Sequence, residues 1–188
     1  MPMMMNFYDP MEIVVTLDVT YILISHVNDS YRRIYTDGRG WPAEDEFVPT
    51  FAGYSIGKWI DEDGDGKYDV LEVETRNFKG PRNYEPSGIP LHENNETIIK
   101  ERMYIAKDNP DTLVNEITTF DHALTRPWTV NKKYVRGHNL IRENICAEGN
   151  GLVRVGNEIY MRSADNELMP AKKGQQPPSL RYFNRAPK

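Results

Sequence analysis

Along the first 135 residues, apolar and polar positions alternate with a period of two in short runs bounded by Gly, Pro, Asn and Asp. Alternation of this kind marks half-buried strands. It predicts eight of them, over 12–17, 20–26, 31–36, 52–60, 68–75, 96–106, 112–120 and 127–135. Asn28-Asp29 and Asp108-Asn109-Pro110-Asp111 are short, turn-forming connections suited to antiparallel neighbours. Residues 37–50 and 77–95 are long linkers rich in Pro and Gly, the kind that form lids or binding loops. Beyond the eighth strand, 139–147 (NLIRENICA) reads as a short helix with an Asn cap and Gly149 past its end. Residues 153–162 read as a hairpin turning at Gly156-Asn157, and 171–188 as an extended, Pro-rich tail.

Eight antiparallel strands followed by a helix predict an all-β fold: an up-and-down barrel of the lipocalin or calycin sort, with an open sandwich as the alternative. Closure would remove the exposed edges that a flat sheet of this size leaves. A single domain over 1–170 is expected, followed by the tail. Eight strands enclose room for side chains or one small ligand.

Composition narrows the partners. The 188 residues are 39% hydrophobic and 27% charged, enough for one domain with a real core. No run approaches the roughly 18 apolar residues of a membrane-spanning helix. The net charge is −5 and the basic residues are scattered, which argues against nucleic acid and favours small molecules or proteins. Cys146 is the lone cysteine, so no internal disulfide forms, and it reads as a small buried hydrophobe. The start MPMMMNFYDP lacks the features of a signal peptide, so the chain is either cytoplasmic or already trimmed. Met3, Met4 and Met5 offer soft thioethers, but packing and start-site explanations suffice for them.

DEDGDGKYDVLE, residues 61–72, changes the picture. An EF-hand loop supplies oxygens from positions 1, 3, 5, 7, 9 and 12 with glycine at 6. Those positions are Asp61, Asp63, Asp65, the Lys67 carbonyl, Asp69 and Glu72, with Gly66 at the turn. Four aspartates within nine residues repel one another without a cation. The flanks FAGYSIGKWI and YDVLEVET are strand-like, however, and three residues of strand span ~10 Å where helix spans ~4.5 Å. Glu72 is therefore expected to fall outside the shell, leaving Asp61, Asp63, Asp65, Lys67 and Asp69 as ligands of a structural Ca²⁺ that staples a hairpin.

Candidate chemistry lies on the strands and at their ends. Glu101 shares a face with Ile99, Met103 and Ile105, so it points inward; burial would raise its pKa and suit it to acid–base work unless an arginine pairs with it. His26 sits at the end of the Ile22, Ile24 face, and Tyr31, Arg33 and Tyr35 share one face of strand three that would line the same cavity. His92 beside Glu93, and His122 beside Asp121, lie just outside strand ends, the rim position of a barrel. His138 lies in the loop after Arg136. Arg39 and Arg126 would orient a carboxylate, or else pair locally with Asp37 and Asp121. No HxH or HExxH pair supports a transition-metal site, and no GxSxG, P-loop, dinucleotide GxGxxG or CxxC occurs.

The strings RRIYTDGRGWP, PTFAGYSIGKW, LHENNETIIKERMY and HALTRPWTV resemble a family of small bacterial proteins of unassigned function, often exported, with a lipocalin-like barrel look. The resemblance spans residues 1–135 and implies a barrel and a periplasmic or secreted location, the leader being absent from this chain. It implies no catalytic residues, and it places the acidic loop outside whatever activity the family shares.

The leading expectation is an acid–base enzyme of lyase, hydratase or isomerase type without an organic cofactor. Glu101 with His92 or His122 would serve as acid and base, and Arg39 or Arg126 would position a small polar or aromatic substrate. The alternative is a lipocalin-like carrier in which His26, Tyr35, Tyr54, Trp59 and Trp128 hold the ligand. A third class is an interaction protein that uses the tail as an arm, with a homodimer formed through it.

Overall fold

The computed structural model describes residues 10–26, 28–80, 82–84, 89–91, 96–143, 151–163 and 165–176, with the backbone alone at 26, 28–29, 82–84 and 89–91. The chain divides into two compact units, residues 1–143 and 144–188.

In the first unit all eight expected strands form. They are β1 (Met11–Val15), β2 (Val19–His26), β3 (Asn28–Tyr35), β4 (Tyr54–Ile60), β5 (Val70–Arg76), then β8 (Ile98–Ala106), β9 (Asn109–Phe120) and β10 (Trp128–Val135). Between β5 and β8 a small ribbon of β6 (Arg82–Tyr84) and β7 (Ile89–Leu91) occupies part of the second long linker. The eight strands make one sheet in the order β1-β2-β3-β4-β5-β8-β9-β10, curled as half of a barrel. The first hairpin closes through Thr16, whose hydroxyl donates to the Val19 carbonyl at 2.7 Å.

Two features depart from an antiparallel, up-and-down closed barrel. β3 and β4 run parallel, with Ile34 opposite Ser55 and Tyr35 opposite Ile56. A parallel neighbour needs a long crossover, and the linker that looked like a lid is that crossover. Among the described residues β1 and β10 are the sheet's two edges and do not pair with each other. The expected helix over 139–147 is also absent from its described part. Residues 136–143 carry no helix, and 144–147 lie outside the described residues. Leu140 is 86% exposed, so the described part of the segment leaves its leucine in solvent, and a helix this short is marginal without an apolar face to bury. Instead the Ser25 hydroxyl donates to the Arg142 carbonyl.

Alternation places one face of the curl inside. Ile22 and Ile24 of β2, Ile34 of β3, Leu71 and Val73 of β5, Ile99 and Met103 of β8 and Ile117 of β9 form the core with Phe78. Gly57 of β4 sits among them because a Cβ there would meet Ile34 Cγ2 at 2.7 Å. The opposite face carries charges in register, Lys58, Glu72, Arg102 and Glu116 on neighbouring strands, an alternation of sign that favours the pairing.

The second unit holds β11 (Leu152–Val155), β12 (Glu158–Arg162) and β13 (Leu168–Pro170) in one antiparallel sheet. The expected hairpin turns at Gly156, whose φ of 61° suits glycine. Gln175 donates to the Ile159 carbonyl at 3.1 Å, so residues 171–176 return to β12; residues 177–188 lie outside the described residues.

Candidate functional site

Residues 61–69 connect β4 to β5, closed by the Ile60–Val70 pair. Gly64 and Gly66, at φ 76° and 88°, allow the chain to wind around its own carboxylates. The Asp61 carboxylate accepts from the amides of Gly64 at 2.7 Å and Gly66 at 2.9 Å. Asp63 accepts from the Asp65 amide at 3.1 Å, and Asp65 from the Lys67 amide at 2.8 Å. One carboxylate oxygen from each of Asp61, Asp63 and Asp65 lies within 4.8 Å of the others. Ligands of one Ca²⁺ sit at ~2.3–2.6 Å from it, hence no more than ~5 Å from each other, so the three fit a shared cation. Asp69 is used differently: its carboxylate accepts the Glu62 amide at 3.0 Å. Glu72 stands in β5 opposite Lys58, and the Lys67 ammonium lies 3.4 Å from Asp65.

A second group of polar residues is buried in the core. Glu101 points inward as expected, and the arrangement it adopts is the arginine pair. Arg32 donates through Nη1 to Oε1 at 3.1 Å and through Nη2 to Oε2, with both side chains almost wholly buried. Two further donors of Arg32 reach Ser55 Oγ at 3.1 Å and Thr75 Oγ1 at 2.8 Å, and Asn115 Nδ2 donates to Glu101 Oε1 at 2.9 Å. Burial, reinforced by the charge of Glu101, pushes the Tyr134 hydroxyl well above the usual tyrosine range. Among the described residues, the buried side-chain atoms that lack a hydrogen-bond partner are Asn115 Oδ1, in this network, and Thr20 Oγ1. Pairing corrects the face of strand three: Arg32 and Ile34 point inward, whereas Tyr31 is 56% exposed and Arg33 lies with it outside.

The rim residues divide. His122 and Arg126 line one depression of about 380 Å³ at the β9–β10 turn with Glu96, Phe120, Asp121, Leu124, Thr125 and Pro127. His122 Nδ1 is 3.5 Å from Glu96 Oε2, while Asp121 accepts the Thr97 hydroxyl and the Ala123 amide, the latter at 2.8 Å. Both ends of the His122–Glu96 pair are half-exposed or more. His92 and Glu93 lie outside the described residues, as does the His26 side chain. Glu101 does not line this depression.

The aromatic candidates also separate. Tyr35 and Tyr54 meet at 5.0 Å between centroids where β3 and β4 run parallel. Trp41 and Phe47 of the crossover join them, at 6.1 and 5.6 Å from Tyr54. Arg39 covers Tyr35 at 3.9 Å and chelates Asp37, the local pairing that was the alternative to a ligand-orienting role. This cluster pins the crossover to the sheet. Trp59 packs instead near Tyr68 at 6.5 Å, and Trp128 is half-buried at the start of β10.

A wider depression of about 690 Å³ lies on the charged face of the sheet. Two of its cations form ion pairs, Lys100 with Glu74 at 3.6 Å and Arg102 with Glu62 of the acidic loop.

No family model, curated protein or solved structure matches the chain. The family resemblance in the sequence therefore carries no part of the functional argument.

Proposed function

We propose that the first unit is a calcium-binding β half-barrel, a binding module in which Ca²⁺ at Asp61, Asp63 and Asp65 staples β4 to β5. The observation that carries this reading is the convergence of the three carboxylates within 4.8 Å in the spacing of a calcium loop. Gly64 and Gly66 supply the winding that such a loop needs. Lys67 through its carbonyl and solvent would complete the shell, and Asp69, engaged with the Glu62 amide, would join it by giving up that bond. The cation is structural in this reading and no organic cofactor is required. An exported setting belongs to the same reading, because extracellular calcium modules work with Kd values of about 10⁻⁴–10⁻³ M.

Isothermal calorimetry with CaCl₂ on the full chain tests it. Heat of binding at one site that disappears in Asp63→Ala is expected. Absence of heat, or binding undiminished in that variant, overturns the reading.

A second reading, acid–base chemistry on a small polar or aromatic molecule, is supported by the His122–Glu96 pair beside Arg126 in the rim depression. In that arrangement His122 is the proton-transfer group, Glu96 orients it through Nδ1, and Arg126 holds an anionic group of the substrate. Glu101 contributes through the core and not through proton transfer, since its oxygens are committed to Arg32 and Asn115. Turnover of any identified substrate that survives in His122→Gln removes this reading.

A further inference from the structure

The joint between β3 and β4 is the thinnest in the large sheet. It consists of two facing pairs, Ile34 with Ser55 and Tyr35 with Ile56, and among the described residues it is the one parallel joint of that sheet. Every other pair of neighbouring strands there is joined by five or more facing pairs. The joint divides the sheet into β1–β3, an antiparallel meander of its own, and a body of β4, β5, β8, β9 and β10. Of the nine residues in the core cluster the meander contributes Ile22, Ile24 and Ile34, and the other six belong to the body and to Phe78 beside it. The body therefore keeps most of the core without the meander.

Arg32 of β3 ties the two parts together. It sends four hydrogen bonds across the joint, to Ser55 of β4, Thr75 of β5 and both carboxylate oxygens of Glu101 of β8. The Ser25 hydroxyl adds one to the Arg142 carbonyl. A buried ion pair gives up hydration when it forms and regains it when it is exposed, so a guanidinium in a polar socket sets the register of the meander without locking it as apolar interdigitation would. Asn115, bound to the same Glu101 oxygen as Arg32 Nη1, has its Oδ1 buried without a partner, a cost that water relieves. The chain between the two parts suits a pivot. Gly38 and Gly40 are exposed, an added Cβ at either would meet nothing within 4 Å, and Gly38 has a φ of 79°. Beyond them the crossover packs on the body: Trp41 and Phe47 lie against Tyr54, and Arg76 covers Trp41 at 4.5 Å. The two facing pairs adjoin this pivot, at the end of β3.

We propose that β1–β3 is a hinged flap that opens as one unit about residues 37–40, with Arg32 as its bolt and Ser55, Thr75 and Glu101 as the socket that opening exposes to solvent. The buried network is then a closed state of the half-barrel, held by a pair that can be broken and remade, and the folded body persists when the flap is open.

Native-state amide exchange on the full chain, followed by NMR over a urea series, tests this. The ladder amides of β2 and β3 are expected to exchange as one set, with protection about tenfold or more below that of β8 and β9 and a shallower dependence on urea. Val114→Ala, on β9 opposite Tyr104 and on the face away from the core, is expected to lower the protection of β8 and β9 about tenfold and to leave that of β2 and β3 unchanged, because the body is folded in the flap-open state. Arg32→Met is expected to lower the protection of β2 and β3 about a hundredfold or more, since Glu101 is then unpaired when the flap is shut and hydrated when it is open. A lock across the joint, Tyr35→Cys with Ile56→Cys in a Cys146→Ser background, is expected to protect β2 and β3 about tenfold better oxidised than reduced. Exchange of the two sets together with one urea dependence, an equal loss in both sets in Val114→Ala, or protection of β2 and β3 indifferent to Arg32→Met or to the lock overturns the proposal.

Discussion

The chain places carboxylates in two settings that differ in where a counter-charge can come from. Glu101 is sealed in the core and finds its counter-charge within the protein, on Arg32, with Ser55, Thr75 and Asn115 completing the network. Asp61, Asp63 and Asp65 stand at the surface, held by backbone amides and by the Lys67 ammonium 3.4 Å from Asp65. A buried carboxylate must have its partner built in, because desolvation of an unpaired charge is prohibitive. An exposed cluster can leave its partner to be supplied from solution. The first arrangement fixes a fold and the second leaves a place for a ligand.

The largest effect is expected from breaking the built-in pair. Arg32→Met leaves the Glu101 carboxylate buried without its cation and should cost about 3–5 kcal/mol of stability in urea or thermal unfolding. Replacing both, Arg32→Met with Glu101→Met, should recover most of that loss, since apolar residues of similar volume often substitute for a buried ion pair at little cost. A single Arg32→Met variant as stable as the parent would show that Glu101 does not depend on Arg32.

The externally supplied partner should give an intermediate effect. Calcium at about 100 times its Kd stabilises the folded state by about 2.7 kcal/mol, measured as a shift of the urea midpoint on adding CaCl₂ against EDTA. Asp63→Ala should abolish the shift while leaving the metal-free stability near that of the parent, because Asp63 is exposed and its carboxylate accepts the Asp65 amide of its own loop. A shift of equal size in the variant would relocate the cation to another site.

These two regions also mark what the sequence discloses and what it hides. The acidic loop was legible because its carboxylates lie within a few residues of one another, so spacing alone brings them together. The eight strands and the 153–162 hairpin were legible for the same local reason, the alternation of period two. The partner of Glu101 was not, because Arg32 lies 69 residues away. Alternation gives each strand two faces without saying which is inside. In strand three the face of Tyr31 and Arg33 looked like a cavity wall, while Arg32 and Ile34 hold the interior. The available signal was Glu101 itself, since an inward carboxylate calls for an inward arginine and Arg32 alternates with Ile34. The parallel β3–β4 pairing was hidden too, because nothing in alternation names a neighbour. NLIRENICA carries a helical spacing of apolar residues, but described residues 139–143 run as coil with Leu140 in solvent.

A smaller effect should come from the edge of the buried network. Tyr134 is held protonated by burial and by the neighbouring Glu101 charge. A group whose folded pKa is raised contributes stability that is complete below its unfolded value, about 10, and is lost as pH rises beyond it. The protein should thus lose stability in alkali, and Tyr134→Phe should lessen that loss while costing about 1 kcal/mol at neutral pH. Ultraviolet difference titration should show one tyrosine that ionises only with unfolding. Equal alkaline sensitivity in parent and Tyr134→Phe would place the loss elsewhere.

The smallest effect is expected at the surface pair that imitates the buried one. Arg39 donates to both oxygens of Asp37, from Nε to Oδ1 at 2.9 Å and from Nη2 to Oδ2 at 2.6 Å. Its hydrogen bonds hold the Asp37 carboxyl down to about 2 against an ordinary 3.8. Being lowered, this pKa contributes stability that is present above about 3.8 and is lost as pH falls through about 2. Water screens the pair, so its thermodynamic weight is slight even though it too is bidentate, side-on through Nε and Nη2 where Arg32 meets Glu101 through Nη1 and Nη2. Carboxyl NMR should place the Asp37 midpoint near 2 and return it to the ordinary range in Arg39→Ala, with scarcely any change in melting temperature at neutral pH. Should Arg39→Ala instead melt as early as Arg32→Met, burial would not be what separates the two pairs. The aromatic cluster that Arg39 covers, Tyr35 with Tyr54, Trp41 and Phe47, would then be the element holding the β3–β4 crossover in place.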